Sequence, residues 1–87
     1  MPYKIVFDRP ALKDAKNIKR AGLDAKVDAL LDVLRVNPWQ YPPQYEKLSG
    51  DLEGLYSRRI NLQHRLVYEV FEHTRIVKIM RMWSHYE

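Results

Sequence analysis

The order of apolar and polar positions changes once along the chain, from helical spacing in the first half to partial alternation in the second. The chain opens with a strand candidate at residues 3–7, which contains two adjacent β-branched residues. Asp8 suits the cap of a helix and Pro10 suits its first turn. We therefore expect a first helix that runs to about Arg20.

Each of two predicted helices carries one apolar stripe. In the first helix, the stripe is predicted to contain Leu12, Ala15 and Ile18. A break at Gly22 follows, and the Asn37-Pro38 pair ends the second helix. The second stripe consists of Leu23, Val27, Leu30, Leu31 and Leu34. Two such helices are typical of a helical hairpin that covers one face of a sheet.

The second half of the chain predicts strands. After a proline-rich loop, residues 46–48 form a candidate short strand. Three segments rich in β-branched and aromatic residues follow, at 55–60, 64–71 and 75–83. Their short polar connections predict sequential antiparallel hairpins. The sequence therefore predicts a single α+β domain over residues 1–87, with both helices on one sheet face and the opposite face open.

Charge and composition narrow the class of protein. A formal net charge of +4 favours polyanions such as nucleic acid, although many small proteins carry such a charge only for solubility. The chain has no cysteine, which excludes disulfides and thiol chemistry and fits a reducing compartment. No apolar run approaches the ~20 residues of a membrane-spanning helix, and the N-terminus lacks the apolar stretch of a signal peptide. We therefore expect a soluble cytoplasmic protein with no membrane partner.

Two arginines are predicted to meet on the open sheet face. If the middle hairpin is centred on Leu62, Arg59 and Arg65 lie opposite each other in adjacent strands. Two like charges in this arrangement cost stability, and a bound phosphate would relieve that cost because guanidinium groups present planar donors to phosphate oxygens. The alternative is that Arg59 pairs with Glu69 and only keeps the sheet surface solvated.

Histidine and carboxylate side chains are candidates for proton transfer. Histidine side chains generally titrate near neutrality, so His85 could donate a proton at cellular pH, unless it belongs only to a frayed chain end. His64 and His73 are predicted at turns, and the histidines form no metal-binding motif. Glu46 suits a proton acceptor if arginines lie nearby and favour its charged form. Alternatively, Glu46 forms a surface pair with Lys47.

Three motifs occur in order in the second half of the chain. They are the segment 45–60, which contains Ser-Arg-Arg-Ile, then His-Arg-Leu-Val-Tyr at 64–68 and His-Tyr at 85–86. In order and spacing, these motifs resemble the YoeB/Txe toxins of type II toxin–antitoxin systems, within the RelE-like superfamily. The first half matches this family only in its strand-helix-helix order. The resemblance implies a RelE-like, microbial-RNase-like α+β fold in which an N-terminal strand and a helical hairpin pack on an antiparallel sheet.

The family resemblance also implies an activity and a set of site residues. The activity is ribosome-dependent cleavage of messenger RNA, without metal or other cofactor, in which the RNA 2′-hydroxyl is the nucleophile. Glu46 would be the general base and His85 the general acid. Arg65 would hold the scissile phosphate with Arg59 beside it, and Tyr86 would help to position the substrate or the histidine.

The partners implied by the resemblance are macromolecules. They are a cognate YefM-like antitoxin that folds over the basic face, a ribosome with messenger RNA in its A site, and a second copy of the chain in a homodimer. The sequence departs from the family pattern at two positions. Some relatives carry a lysine where this chain has Ser49, and Glu87 extends the chain one residue past the usual terminal tyrosine.

Two other functions stay open from the sequence. A ParE-like relative would share the fold but poison DNA gyrase, and the terminal His-Tyr pair and the two arginines argue against that activity. A non-catalytic RNA-binding module would keep the basic face and stack bases on aromatic side chains such as Trp39 or Tyr56.

Overall fold

The protein folds as one strand, two helices and a four-stranded meander. The computed structural model describes residues 2–83. The helices are α1 (Arg9–Arg20) and α2 (Asp24–Val36), and the strands are β1 (Lys4–Phe7), β2 (Tyr45–Lys47), β3 (Tyr56–Arg59), β4 (Arg65–Phe71) and β5 (Ile76–Arg81). The predicted order of elements is confirmed. Neither helix within residues 2–83 is long and apolar enough to cross a membrane.

All five strands join one sheet, in the order β1-β5-β4-β3-β2. The strands from β2 to β5 pair antiparallel with their neighbours, as the short connections between them predict. β1 pairs parallel to β5, so the sheet is mixed. The first strand thus reaches the far edge of the sheet, which brings α1 and α2 across one face.

The helix α2 packs its predicted stripe against the sheet. Val27, Leu30, Leu31 and Leu34 are buried in one cluster with the strand residues Leu66, Tyr68, Val77 and Ile79. Burying a side chain of this size contributes about 1.5–3 kcal/mol relative to leaving it exposed. The second predicted stripe is therefore confirmed, and this cluster forms the core of the domain.

The predicted stripe of α1 is correct at Ile18 and wrong at Leu12 and Ala15. Leu12 is 57% exposed and Ala15 is also exposed, whereas Ala11, Asp14 and Ile18 face the core side. Asp14 is buried on that side because its carboxylate accepts hydrogen bonds from Arg81 and from the backbone N–H of Met82. These hydrogen bonds offset the cost of burying a carboxylate. A search for apolar residues at helical spacing misses a stripe that includes a charged residue.

A buried arginine holds the proline-rich loop at residues 38–44. Arg58 is only 1% exposed and lies on the helix-covered face of β3. Its guanidinium donates hydrogen bonds to the carbonyl oxygens of Pro38 at 3.0 Å, Gln40 at 2.9 Å and Pro43 at 2.6 Å. Its Nε donates to the Tyr68 hydroxyl at 3.2 Å. One side chain in β3 therefore anchors three points of a loop that is distant in sequence.

The aromatic residues of this region also stabilise the loop. The Trp39 ring meets the Tyr56 ring edge-on at 4.8 Å, and Trp39 Nε1 donates to Glu72 Oε1 at 3.0 Å. Burial raises the pKa of Tyr68 by more than the Arg58 guanidinium lowers it, so the hydroxyl stays protonated and donates to the Pro38 carbonyl at 3.1 Å. Trp39 and Tyr56 are both half-buried, and each ring already has the other as an aromatic neighbour.

Candidate active site

The middle hairpin has the register that the sequence predicts. Arg59 lies opposite Arg65, and Ser57 lies opposite Val67. The alternate residues Leu66 and Tyr68 belong to the core under the helices, so the two arginines are on the open face. The like charges predicted to face each other do so.

The short strand β2 adds a carboxylate to this pair of arginines. Glu46 pairs with Ser57 in the antiparallel register of β2 and β3. The Arg65 guanidinium reaches Glu46 Oε1 at 3.4 Å and donates to Ser57 Oγ at 3.2 Å. The structure therefore brings Glu46 and Arg65 together, and the surface pair of Glu46 with Lys47 is not formed. Lys47 lies on the other face of β2 by strand alternation.

Ser57 also belongs to the site, although the sequence predicted no role for this residue. Its side chain is fully buried and accepts one of the hydrogen bonds that fix Arg65. The Arg65 side chain is itself only 15% exposed. The guanidinium is thus held in a fixed orientation before any ligand binds, which favours recognition of a planar pair of oxygens.

These side chains line a pocket of about 270 Å³ on the open face. Its walls are Pro43, Gln44, Glu46, Ser57, Arg59 and Arg65. Within residues 2–83, no carboxylate lies within ion-pair distance of Arg59, whose guanidinium donates only to the Leu62 carbonyl at 3.4 Å. The alternative pairing with Glu69 is wrong, because Glu69 lies opposite Lys78. Two guanidinium groups and one carboxylate leave the pocket positive, which suits an anion such as a phosphodiester.

The predicted residues His85 and Tyr86 lie outside the described residues. The last described residue, Trp83, precedes His85 by two positions, and its ring stacks on the His64 ring at 3.7 Å with an interplanar angle of 15°. His64 directly precedes Arg65 in the chain. The described end of the chain therefore lies beside the start of β4, the strand that carries Arg65.

Among residues 2–83, no three histidine, aspartate or glutamate side chains cluster in a way that could hold a metal ion. The groups that the described pocket offers are a carboxylate, a hydroxyl and two guanidinium groups. A carboxylate can accept a proton, and guanidinium groups can neutralise charge on a phosphate.

Comparison with known proteins decides the family. The model of the YoeB-like toxins of bacterial type II toxin–antitoxin systems matches residues 7–86. The chain belongs to the YoeB-like toxin family. The resemblance inferred from the sequence motifs is thereby confirmed, and members of the wider YoeB and RelE group are endoribonucleases.

Three relatives of this YoeB-like toxin illustrate the match. The chain is 32% identical over 74 residues to Toxin YoeB of Synechocystis, a region that covers 85% of this chain and 77% of that protein. A YoeB/ParE toxin structure from Agrobacterium tumefaciens is 28% identical with a TM-score of 0.86, covering 95% and 99% of the two chains. A YoeB dimer structure from Staphylococcus aureus is 34% identical with a TM-score of 0.82, covering 99% and 100%. The predicted RelE-like α+β fold is confirmed.

In this YoeB-like toxin, Asp14 holds the backbone just before the C-terminal residues. Its Oδ2 accepts hydrogen bonds from the backbone N–H of Met82 at 2.9 Å and of Trp83 at 3.2 Å, and from Arg81 Nε at 2.8 Å. Burial alone would raise the pKa of Asp14, but these hydrogen bonds and the Arg81 charge outweigh it and lower the pKa from its usual 3.8. The ionised form of Asp14 therefore stabilises the folded state.

Asp14→Asn is expected to lower the free energy of unfolding at pH 7 by about 2 kcal/mol, because hydrogen bonds to a charged acceptor are replaced by weaker ones. Since the pKa is lower in the folded state, the stabilisation is present above the unfolded-state pKa near 4 and is lost as the pH falls through the folded-state value. Urea unfolding across a pH series should therefore show wild type and Asp14→Asn converging in acid. The exposed control Asp51→Asn should follow wild type throughout, and an Asp14→Asn difference that does not change with pH would contradict this role.

Proposed function

We propose that this YoeB-like toxin is a ribosome-dependent messenger RNA endoribonuclease that inhibits translation. The observation that carries the proposal is the position of Arg65, which is held between Glu46 and Ser57 in a positive pocket on the open face. A fixed guanidinium next to a carboxylate supplies charge stabilisation and proton acceptance at one point. The endoribonuclease activity of the YoeB and RelE group supports the same assignment.

The proposed reaction uses the RNA itself as the nucleophile. Glu46 accepts the proton of the 2′-hydroxyl, whose oxygen then attacks the adjacent phosphorus and forms a P–O2′ bond. Arg65 and Arg59 stabilise the negative charge that develops on the phosphate oxygens. The P–O5′ bond breaks as His85 protonates the departing oxygen, and Tyr86 helps to position the reacting groups. The products carry a 2′,3′-cyclic phosphate and a 5′-hydroxyl, and the reaction requires RNA because DNA lacks the nucleophile.

The partners of the proposed function are the ribosome, an antitoxin and a second copy of the toxin. A Staphylococcus aureus relative that is 34% identical has been solved as a YoeB-YefM complex and as a YoeB dimer. By this likeness, we propose that a YefM-like antitoxin covers the basic pocket and that the toxin forms a homodimer. The ribosome would present messenger RNA in its A site and supply the surrounding contacts that a small open pocket lacks.

Glu46→Gln tests the proposed chemistry. The variant keeps the shape of the side chain but cannot accept the proton, so the cleavage rate should fall about 10²-fold. Messenger RNA ends are mapped in a cell-free translation system with and without ribosomes, and 5′-hydroxyl ends are identified by whether they are labelled directly by a kinase. The control Glu53→Gln changes an exposed carboxylate outside the pocket and should cleave like wild type.

Three results would contradict the proposal. Equal cleavage by Glu46→Gln and wild type would remove the carboxylate from the reaction. DNA breaks that depend on gyrase would indicate the ParE-like activity. RNA binding without cleavage by the wild-type protein would indicate a non-catalytic module.

A further inference from the structure

A second groove adjoins the candidate active site at the tip of the β3–β4 hairpin. It has a volume of about 690 Å³ and is lined by Lys26, Arg59, Ile60, Asn61, Leu62 and Gln63. Arg59 also lines the pocket that contains Glu46 and Arg65. A single side chain therefore forms the boundary between the two, and an extended ligand held in one would continue into the other.

We propose that this hairpin groove binds the nucleotides that flank the scissile phosphate on one side. The inference rests on the proposed function, because it takes the Glu46 and Arg65 pocket as the place of cleavage. It adds a binding surface for single-stranded RNA to which Lys26, on α2, contributes.

The charge of the groove favours an anionic occupant. Lys26 and Arg59 line it, and none of the six lining residues is acidic. Within residues 2–83, neither cation lies within ion-pair distance of a carboxylate. Each of the two charges is thus available to a phosphate, and successive phosphates along a strand would meet successive positive side chains.

The shape of the hairpin tip supports an occupant that also has flat apolar surfaces. Leu62 is 88% exposed beside Arg59, although a large apolar side chain in this position gains nothing from solvent. Asn61 Oδ1 accepts hydrogen bonds from the backbone N–H of Gln63 at 2.9 Å and of His64 at 2.7 Å, which fixes the turn. An apolar side chain on a fixed turn next to cations can pack against a base while the cations contact the RNA backbone. An acidic peptide would satisfy the charges but has no planar base to pack against Leu62.

The test measures binding of the full chain to short single-stranded RNA. His85→Ala is used as the background, so that the RNA stays intact. Fluorescein-labelled RNAs contain the mapped cleavage position alone or extended by two nucleotides on the 5′ or the 3′ side, and binding is followed by fluorescence anisotropy at several salt concentrations. Lys26→Ala is compared with the matched control Lys16→Ala, an exposed lysine on α1 outside both grooves.

One of the two extensions is expected to strengthen binding to the background protein. Lys26→Ala should lower the affinity for that extended RNA about fivefold and leave the affinity for the short RNA unchanged. It should also reduce the salt dependence of binding to the extended RNA by the equivalent of about one phosphate contact. Lys16→Ala should change neither RNA. Leu62→Ser should reduce the benefit of the extension without changing the salt dependence.

Several outcomes would contradict the proposal that the hairpin groove binds RNA. Equal effects of Lys26→Ala and Lys16→Ala, or equal losses for short and extended RNA, would show that only general charge matters. A change in antitoxin affinity with unchanged RNA affinity would assign the groove to a protein segment. Failure of the proposed function looks different, because wild type would then bind extended RNA in the expected way yet leave messenger RNA uncut on translating ribosomes.

Discussion

Arg65→Gln is expected to lower the single-turnover rate of RNA cleavage by about 10³-fold, since preorganised charge at the reacting phosphate is the largest single contribution to such reactions. Arg65 is suited to this role because its guanidinium is held by Ser57 Oγ and Glu46 before substrate arrives. Glutamine retains hydrogen-bonding capacity but loses the positive charge. The loss should therefore fall mainly on kcat, with a smaller effect on KM, in an assay on ribosomes programmed with a defined message.

Two matched arginine variants sharpen this test. Arg59→Gln, in the same pocket but exposed and without a fixed carboxylate partner, should reduce the rate by only about tenfold. Arg20→Gln, at the exposed end of α1, should leave cleavage unchanged. Thermal unfolding of each variant separates lost chemistry from lost folding. An Arg65→Gln protein that stays folded and cleaves within tenfold of wild type would remove Arg65 from the transition state.

The sequence predicted those parts of the fold that depend on the spacing of apolar residues within one helix or one hairpin. The stripe of α2 and the register of the β3–β4 hairpin follow from side-chain period and from a short turn, and both have the expected arrangement. The partner of β1 does not follow from local spacing, because nothing near β1 in the chain specifies that it pairs parallel to β5. The α1 stripe was displaced by Asp14, whose partners lie nearly seventy positions further along the chain.

The candidate site shows the same division between local and distant information. Strand alternation placed Arg59 and Arg65 on one face, and it also separates Arg59 from Arg58. That Glu46 meets Arg65 depends on the pairing of β2, a strand of three residues, with β3. Such a short strand has a weak sequence signal, so the family motif and not the residue pattern identified Glu46.

Arg58→Met is expected to destabilise the protein by about 4 kcal/mol, because several buried acceptors lose their donor at once. The carbonyl oxygens of Pro38, Gln40 and Pro43 and the Tyr68 hydroxyl all accept hydrogen bonds from this side chain. Methionine fills similar volume, so the loss reports hydrogen bonding more than a cavity. Against a total stability of about 5–15 kcal/mol for a domain, much of the protein would unfold under mild denaturant.

The neighbouring residue supplies the control for this prediction. Arg59→Met makes the same chemical change one position later, but on the exposed open face, and should alter stability by about 0.5 kcal/mol or less. Urea unfolding followed by circular dichroism measures both variants. In a Trp83→Phe background, the remaining Trp39 fluorescence reports whether the loop has separated from Tyr56. Similar midpoints for Arg58→Met and Arg59→Met would show that the loop does not depend on the buried guanidinium. A large difference in the free energy of unfolding between the two variants would show that strand alternation places Arg58, and not Arg59, in the buried network that stabilises the loop.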